Sequence, residues 1–155
     1  MNIFVLDNDP KTCAEYHCDK HVVKMILESA QLLCGVHWTI GGQAPYKLSH
    51  KNHPCSIWTR ECIENYVWLC NMTMELCKEY TYRYGKRHKS EDVLNWCIDN
   101  KPNLPSKGDI TPFALAMPDE CKVANSAVLS YRNYYMTEKR SFSTWKTGRI
   151  PSWFK

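Results

Sequence analysis

The chain has 155 residues, of which 44% are hydrophobic and 23% are charged, as expected for one globular domain with a real core. No apolar run approaches the roughly 18–20 residues that a membrane-spanning helix needs, and the apolar start MNIFVL is too short for a signal peptide. We therefore expect a cytoplasmic or nuclear protein that is not secreted and has no membrane partner.

Nine cysteines are an unusually high and odd number. Without an export signal, such a set argues against a disulfide framework. No C-x-x-C pair occurs, which argues against a zinc ribbon. Most of the cysteines lie within apolar patterns, so we expect buried free thiols.

The predicted elements begin with NIFVL, residues 2–6, as a short strand. Asp9 and Pro10 then form a helix-start signal, and proline, serine and glycine signals delimit the later elements. We predict helices over about residues 10–36, 54–84, 90–100 and 118–138. The expected fold is mainly α: a compact single domain, 1–155, of about four helices, with the N-terminal strand and an extended, aromatic and basic C-terminal tail.

The first predicted helix carries a polar stripe. At about 100° per residue, one sector contains His17, Lys20, His21, Lys24, Glu28 and Gln31. A solvated face would explain lysine and glutamate, but two histidines one turn apart with amines and a carboxylate are typical of acid–base or amine chemistry. Cys13, His17 and His21 also have metal-ligand spacing. Because Lys20 and Lys24 would repel a cation, we predict no metal and no cofactor.

The second predicted helix starts with Asn52, His53 and Pro54, where Asn52 can cap. Its free N–H groups would attract a phosphate or carboxylate. Trp58 and Asn65 share one face further along. This pattern fits either a capped helix with an aromatic core face or a substrate pocket bounded by His53, Trp58 and Asn65.

The C-terminal tail is basic, because Glu138 is the only acid after residue 131. Lysine and arginine there would hold phosphates, while aromatic rings would stack on bases. The alternative is that the aromatic residues pack the tail onto the body. The residues predicted to contact nucleic acid are Arg132, Lys139, Arg140, Trp145, Lys146 and Arg149.

Five segments together resemble one known family: DKHVVKMILESAQLL, NHPCSIWTRECIENYVWL, EYTYRYGKRH, AMPDE and SYRNYY. The chain is similar over most of its length to small phage, bacterial and large-virus proteins labelled pyrimidine dimer DNA glycosylase, or endonuclease-V-like. The more specific elements are Asp19-Lys20-His21 and Asn52-His53-Pro54. The resemblance implies a viral or phage protein in a host cell that repairs DNA as a glycosylase, with hydrolase and AP-lyase activities on damaged or modified pyrimidine bases.

The resemblance also suggests roles for the polar stripe. Phage enzymes of this family attack the sugar with an N-terminal amine that is exposed when Met is removed before a small residue. Asn2 is bulkier, so we expect Met1 to stay, and a buried NIFVL strand would disfavour a reactive end. The sequence leaves open whether the nucleophile is the N-terminal amine, Lys20 or Lys24, with Glu28 as the acid–base partner.

The remaining polar residues have supporting roles in this hypothesis. His17 and His21 are counted with Glu28, Lys20 and Lys24 among the predicted catalytic residues, in contact with the flanking phosphates. The predicted substrate-binding residues are Asn52, His53, Trp58, Asn65 and Gln31. The expected partner is damaged or modified double-stranded DNA, bound by a monomer.

Two alternatives remain at this point, namely a non-catalytic nucleic-acid-binding protein and an enzyme acting on modified nucleotides. The burial of Glu28 and His21 distinguishes catalysis from nucleic-acid binding alone. If these residues lie in a cleft and face His53, catalysis is favoured, whereas a position on a convex surface favours binding alone.

Overall fold

The computed structural model describes residues 1–155 and contains six α-helices, two short 3-10 turns and no β-sheet. The mainly α class is therefore confirmed. The helices are α1 Pro10–Tyr16, α2 Asp19–Thr39, α3 Pro54–Glu61, α4 Ile63–Tyr84, α5 Glu91–Asp99 and α6 Ala127–Met136. The 3-10 turns span Asp119–Cys121 and Arg140–Phe142.

Helix α4 is the central element, since it packs against α1, α2, α3 and α5. It ends at Gly85, whose φ of 68° places it in the left-handed region and whose N–H donates to the Thr81 carbonyl. Against it, α2 buries Val22, Ile26 and Leu33, which recur with helical spacing. All nine cysteines are free and buried, as expected. None of the helices has the length and apolar character needed to cross a membrane.

The predicted helix over 10–36 is wrong in one respect, because His17 and Cys18 are extended and separate α1 from α2. Hydrogen bonds to residues distant in sequence stabilise this interruption. The Arg83 guanidinium donates to the His17 carbonyl at 2.8 Å and to the Glu15 carbonyl at 3.0 Å. The Cys18 N–H donates to the Tyr135 hydroxyl at 3.2 Å. The end of α1 thus finds its hydrogen-bond partners outside the helix.

The predicted helix over 54–84 is also divided, at Cys62, which has extended φ and ψ of −156° and 163°. The Ile63 N–H donates to the Pro105 carbonyl at 2.9 Å. The Asn65 amide donates to the Trp58 carbonyl at 2.8 Å, which satisfies the end of α3. The fourth predicted helix, 118–138, is likewise shorter, since only the turn Asp119–Cys121 and α6 form there.

The predicted N-terminal strand is wrong, although the burial behind it is right. Ile3, Phe4, Val5 and Leu6 are all buried, but they run between helices without a neighbouring strand. Side chains satisfy part of this backbone instead: the Leu6 carbonyl accepts from Arg132 at 2.9 Å. A short apolar run predicts a buried extended segment. It does not show whether a second strand lies beside that segment to pair with it.

Candidate active site

The start of the chain, α2, the first turn of α3 and the end of α6 enclose a cavity of about 330 Å³. It is lined by Met1, Asn2, Phe4, His21, Lys24, Met25, Glu28, His53, Ala116, Tyr134 and Lys139. A larger cleft of about 480 Å³ lies between residues 112–115 and 123–128, but no ionisable side chain lines it. Of these two, only the smaller cavity is lined by ionisable side chains.

The amine of Met1 and the carboxylate of Glu28 form the central contact of the cavity. The amine lies 2.9 Å from Glu28 Oε1, and the side chains of the two residues are 3% and 10% exposed. Glu28 Oε2 is buried and makes no hydrogen bond within the protein. The Lys24 ammonium lies 3.7 Å from Oε2 and is largely exposed. One carboxylate oxygen thus contacts the amine, while the other makes no hydrogen bond and lies within ion-pair distance of Lys24.

The position of the Met1 amine is fixed by the residues that follow it. The Asn2 side chain donates to the Ala116 carbonyl at 2.8 Å and accepts from the Ile3 N–H at 2.7 Å. The Tyr131 hydroxyl lies 3.2 Å from the same Asn2 oxygen. The buried segment therefore anchors the chain so that its amine opens into the cavity. Burial of NIFVL therefore does not remove the terminal amine from the cavity.

His21 forms one wall of the cavity and is neutral. Its ring stacks on Phe4 with 4.1 Å between ring centroids, and its Nδ1 lies 2.6 Å from the Tyr135 hydroxyl. Burial, followed by the nearby cations, lowers the pKa of His21 to about 2. At neutral pH this imidazole therefore acts as a neutral hydrogen-bonding group and not as a cation.

His53 faces Glu28 and Met1 from the first turn of α3, so that the arrangement expected for catalysis is present. Its Nδ1 accepts from the Cys55 N–H at 3.0 Å, which makes His53, and not Asn52, the cap of α3. Burial and the charge of the Met1 amine lower the pKa of His53. Because Nδ1 accepts a hydrogen bond, the proton of the neutral ring lies on Nε2.

Three lysines surround the mouth of the cavity. Lys24 and Lys139 line it, and Lys20 lies over the Phe142 ring at 4.5 Å from its centroid. The Lys139 ammonium lies 4.9 Å from the centroid of Tyr134. Neither Lys20 nor Lys139 pairs with a carboxylate, so both remain available to an anion.

Several predicted site residues lie elsewhere. Trp58 and Asn65 are buried in the core, where Asn65 binds the Thr111 backbone N–H at 3.0 Å, so neither bounds a substrate pocket. Asn52 is exposed and Gln31 is half-buried, and neither lines the cavity. The roles predicted for these four residues lose their geometric basis.

His17 is also separated from the cavity, because the break between α1 and α2 removes it from the helical stripe. It is fully buried, and its Nδ1–H donates to the Cys13 carbonyl at 2.7 Å. Burial lowers its pKa to about 4. The Cys13 thiol contacts the Phe4 carbonyl instead. No three His, Cys, Asp or Glu side chains in the chain converge on a point where a metal ion would bind.

The tail packs onto the body more than the sequence predicted. Trp145 is only 7% exposed and donates to the Tyr16 carbonyl at 3.0 Å, which leaves little of its ring accessible for the predicted stacking on a base. Arg132 pairs with Asp7 at 3.2 Å, and Arg149 pairs with Glu79 at 2.7 Å.

The other two predicted tail contacts are exposed but distant from the cavity lining. Arg140 bonds the carbonyls of Met136 and Lys155 and lies over the Phe154 ring. The Lys146 ammonium lies over the Tyr84 ring. Of the six tail residues predicted to bind nucleic acid, Lys139 alone lines the cavity.

Sequence reasoning also missed residues that shape the site, namely Asn2, Phe4, Ala116, Tyr134 and Tyr135. Asn2 and Phe4 belong to the segment that was predicted as a strand. The other three belong to AMPDE and SYRNYY, which were noticed as motifs. Nothing in the local pattern of these two motifs indicates that they meet the start of the chain.

Comparison with known proteins agrees with this geometry. The sequence pattern of the pyrimidine dimer DNA glycosylase family matches residues 1–92, which include Met1, His21, Lys24, Glu28 and His53. The chain belongs to this family. Membership implies the function of a pyrimidine dimer DNA glycosylase, an enzyme that acts on DNA. No curated protein and no solved structure gives a significant match to the chain.

Proposed function

We propose that the chain removes a damaged pyrimidine from double-stranded DNA by attack of the Met1 amine on the sugar, and then cleaves the strand as an AP lyase. The observation that carries this proposal is the 2.9 Å contact between the Met1 amine and Glu28 inside the cavity. An amine beside a carboxylate is the pair needed for a covalent imine intermediate. The protein would act without a cofactor, as a monomer, in the cytoplasm or nucleus of a host cell.

The first step breaks the glycosidic bond. The lone pair of the unprotonated amine attacks C1′, and the bonding electrons leave with N1 of the pyrimidine, which then takes up a proton. Glu28 accepts the proton that the amine loses on forming the C–N bond. In a pyrimidine dimer the released base stays attached to its neighbour through the cyclobutane ring, so base release from a dimer denotes cleavage of the glycosidic bond and is measured as the abasic site that it leaves.

The second step opens the sugar and cleaves the strand. Protonation of the ring oxygen by Glu28 breaks the C1′–O4′ bond and gives an iminium ion. Glu28, now ionised again, takes a proton from C2′, which expels the 3′ phosphate by β-elimination, and water hydrolyses the imine to free the amine. Positioned acid–base groups contribute about 10²–10⁴-fold to steps of this kind.

The Met1 amine is better placed for attack than either lysine. The Lys24 side chain is 60% exposed and its ammonium lies 3.7 Å from the carboxylate, whereas the Met1 amine lies 2.9 Å from it. Lys20 lies over Phe142 and does not line the cavity. The three lysines suit phosphate contacts instead, which would hold the strand while the nucleotide is turned out of the duplex.

Borohydride trapping tests the nucleophile directly. The protein is incubated with a duplex containing one thymine dimer, reduced with borohydride, and digested for mass spectrometry. We expect a covalent adduct on the Met1 amine, after the mass of the N-terminal peptide has established which residue begins the chain. Lys20→Arg and Lys24→Arg variants should still form the adduct, because arginine keeps the charge but does not form an imine.

A variant with one glycine added before Met1 is the matched control. It keeps every side chain but moves the terminal amine away from Glu28, so trapping and base release should both be lost. An adduct that maps to Lys20 or Lys24, or full activity of the extended chain, would refute the proposed nucleophile. Base release without any adduct would leave a purely hydrolytic glycosylase.

A further inference from the structure

A short hydrogen-bonded chain runs behind the cavity wall, from the backbone at the start of α2 through Tyr135 to His21. The Cys18 N–H donates to the Tyr135 hydroxyl at 3.2 Å, and that hydroxyl lies 2.6 Å from His21 Nδ1. Tyr135 is fully buried, and His21 is almost fully buried. None of these contacts is needed to hold the Met1 amine.

The direction of the proton between Tyr135 and His21 follows from counting donors and acceptors. The Cys18 N–H occupies one lone pair of the Tyr135 oxygen. If His21 Nδ1–H also donated to this oxygen, the buried Tyr135 hydroxyl proton would have no oxygen or nitrogen acceptor, and only the Cys18 thiol, a weak acceptor, would remain for it. A buried donor without a partner is rare and unfavourable. The hydroxyl therefore donates to His21 Nδ1, and the single ring proton of His21 lies on Nε2.

The other ring nitrogen of His21, Nε2, faces the cavity. Nε2 makes no hydrogen bond within the protein, and it is not among the buried polar atoms that lack a partner. Because His21 lines the cavity, this nitrogen opens into it. The stacked Phe4 ring restricts rotation of the imidazole. The result is one fixed N–H donor beside Glu28 and Met1.

We propose that Tyr135 is a positioning residue that fixes His21 as the Nε2–H tautomer, so that His21 donates this hydrogen bond to an acceptor oxygen of the damaged nucleotide. The inference rests on the proposed function for the identity of that nucleotide. The acceptor is either a phosphate oxygen or a sugar oxygen, since both present lone pairs to a neutral donor. Lys20, Lys24 and Lys139 lie close enough to His21 to influence it electrostatically, as expected beside a phosphate.

The tautomer is measured by ¹⁵N NMR of the histidine rings in the free protein, which needs no substrate. We expect His21 to carry its proton on Nε2 alone. In the Tyr135→Phe variant the hydroxyl donor is missing, so we expect a proton shared between the two nitrogens. A wild-type His21 protonated on Nδ1, or an Nε2–H that persists unchanged in Tyr135→Phe, would overturn the proposal.

The donor role is measured by binding to a duplex that carries a tetrahydrofuran abasic-site analogue. His21→Leu should lose about 10-fold or more in affinity, as expected when a hydrogen bond to a charged or strongly polar oxygen is removed. His21→Gln places an amide N–H near the position of Nε2 and should recover most of this loss. Equal affinity of the Leu variant and the wild type would contradict the inference.

Methylphosphonate substitution next to the tetrahydrofuran site identifies the acceptor. If the acceptor oxygen belongs to a phosphate, this substitution should remove the difference in DNA affinity between the wild type and His21→Leu. If it belongs to the sugar, the difference in affinity should persist. The matched control is Tyr66→Phe, because the Tyr66 hydroxyl lies 3.0 Å from His37 Nε2 in the core, away from the cavity. It should lower stability without changing DNA affinity.

Failure of the inference and failure of the proposed function are distinguishable. A wild-type protein that released no base from the thymine-dimer duplex would refute the glycosylase mechanism. The NMR result would still decide the tautomer of His21.

Discussion

Replacing Glu28 with glutamine should abolish base release while the protein stays folded. The change keeps the shape of the side chain, and the amide oxygen still accepts a hydrogen bond from the Met1 amine at the position of Oε1. The variant loses the group that takes up the proton of the amine and protonates the sugar oxygen. We expect a loss of about 10²–10⁴-fold in single-turnover base release, which corresponds to about 3–5 kcal/mol of transition-state stabilisation.

The cost in stability should be smaller. Glu28 is buried beside the amine, so removing its charge should lower the free energy of unfolding by about 1–3 kcal/mol. A protein with a typical stability of about 5–15 kcal/mol remains folded after such a change. The loss of activity therefore cannot be ascribed to unfolding, and urea denaturation of the same preparation checks this point.

Two further variants complete the comparison. Glu28→Asp withdraws the carboxylate by about one bond length, roughly 1.5 Å, and should give an intermediate activity. Glu75→Gln removes a carboxylate from a surface pair with Lys78 and should change both activity and stability very little. Near-normal base release by Glu28→Gln would refute the assignment of Glu28 as the acid–base group.

Two other predictions follow from the positions of the charges. Lys139→Ala should weaken binding to all duplexes and reduce the slope of log K against log[salt] by about 0.9, whereas Arg149→Ala, whose guanidinium already pairs with Glu79, should leave the slope unchanged in fluorescence-anisotropy titrations. Equal effects of the two variants would contradict this distinction. Burial lowers the pKa of His17 to about 4, from about 6.5 in the unfolded chain. Between these values the unfolded state binds more protons, so the free energy of unfolding should fall as pH drops from 6.5 to 4, by up to about 1.4 kcal/mol per unit; urea unfolding should show a smaller fall in His17→Asn.

The part of the site that lies within one helix was predictable from the sequence. His21, Lys24 and Glu28 face the same cavity because they lie within the unbroken helix α2, where helical spacing fixes their common side. The mainly α class followed from the same periodicity and from the helix-start signals of Asp9, Pro10 and Pro54.

The predictions that the structure does not support concern residues whose positions depend on contacts with residues distant in sequence. His17 was assigned to the stripe because its spacing fits, but Arg83, 66 residues away, binds its carbonyl where α1 ends. Trp145 was assigned to nucleic acid because it lies in a basic tail, but its indole is buried against Tyr16. A local pattern describes which side chains share a face of a helix; it does not describe where that helix is interrupted or what covers it.

The start of the chain shows how such a distant contact changes a functional conclusion. On the sequence alone, Asn2 counted against a reactive amine because it is larger than the residue that follows Met in the phage enzymes. In the structure the Asn2 side chain binds the carbonyl of Ala116, 114 residues away, and thereby directs the preceding amine towards Glu28. A small residue at position 2 would lack this anchor. The side chain that counted against the amine is the one that positions it, so the geometry favours Met1 over Lys20 and Lys24 as the nucleophile.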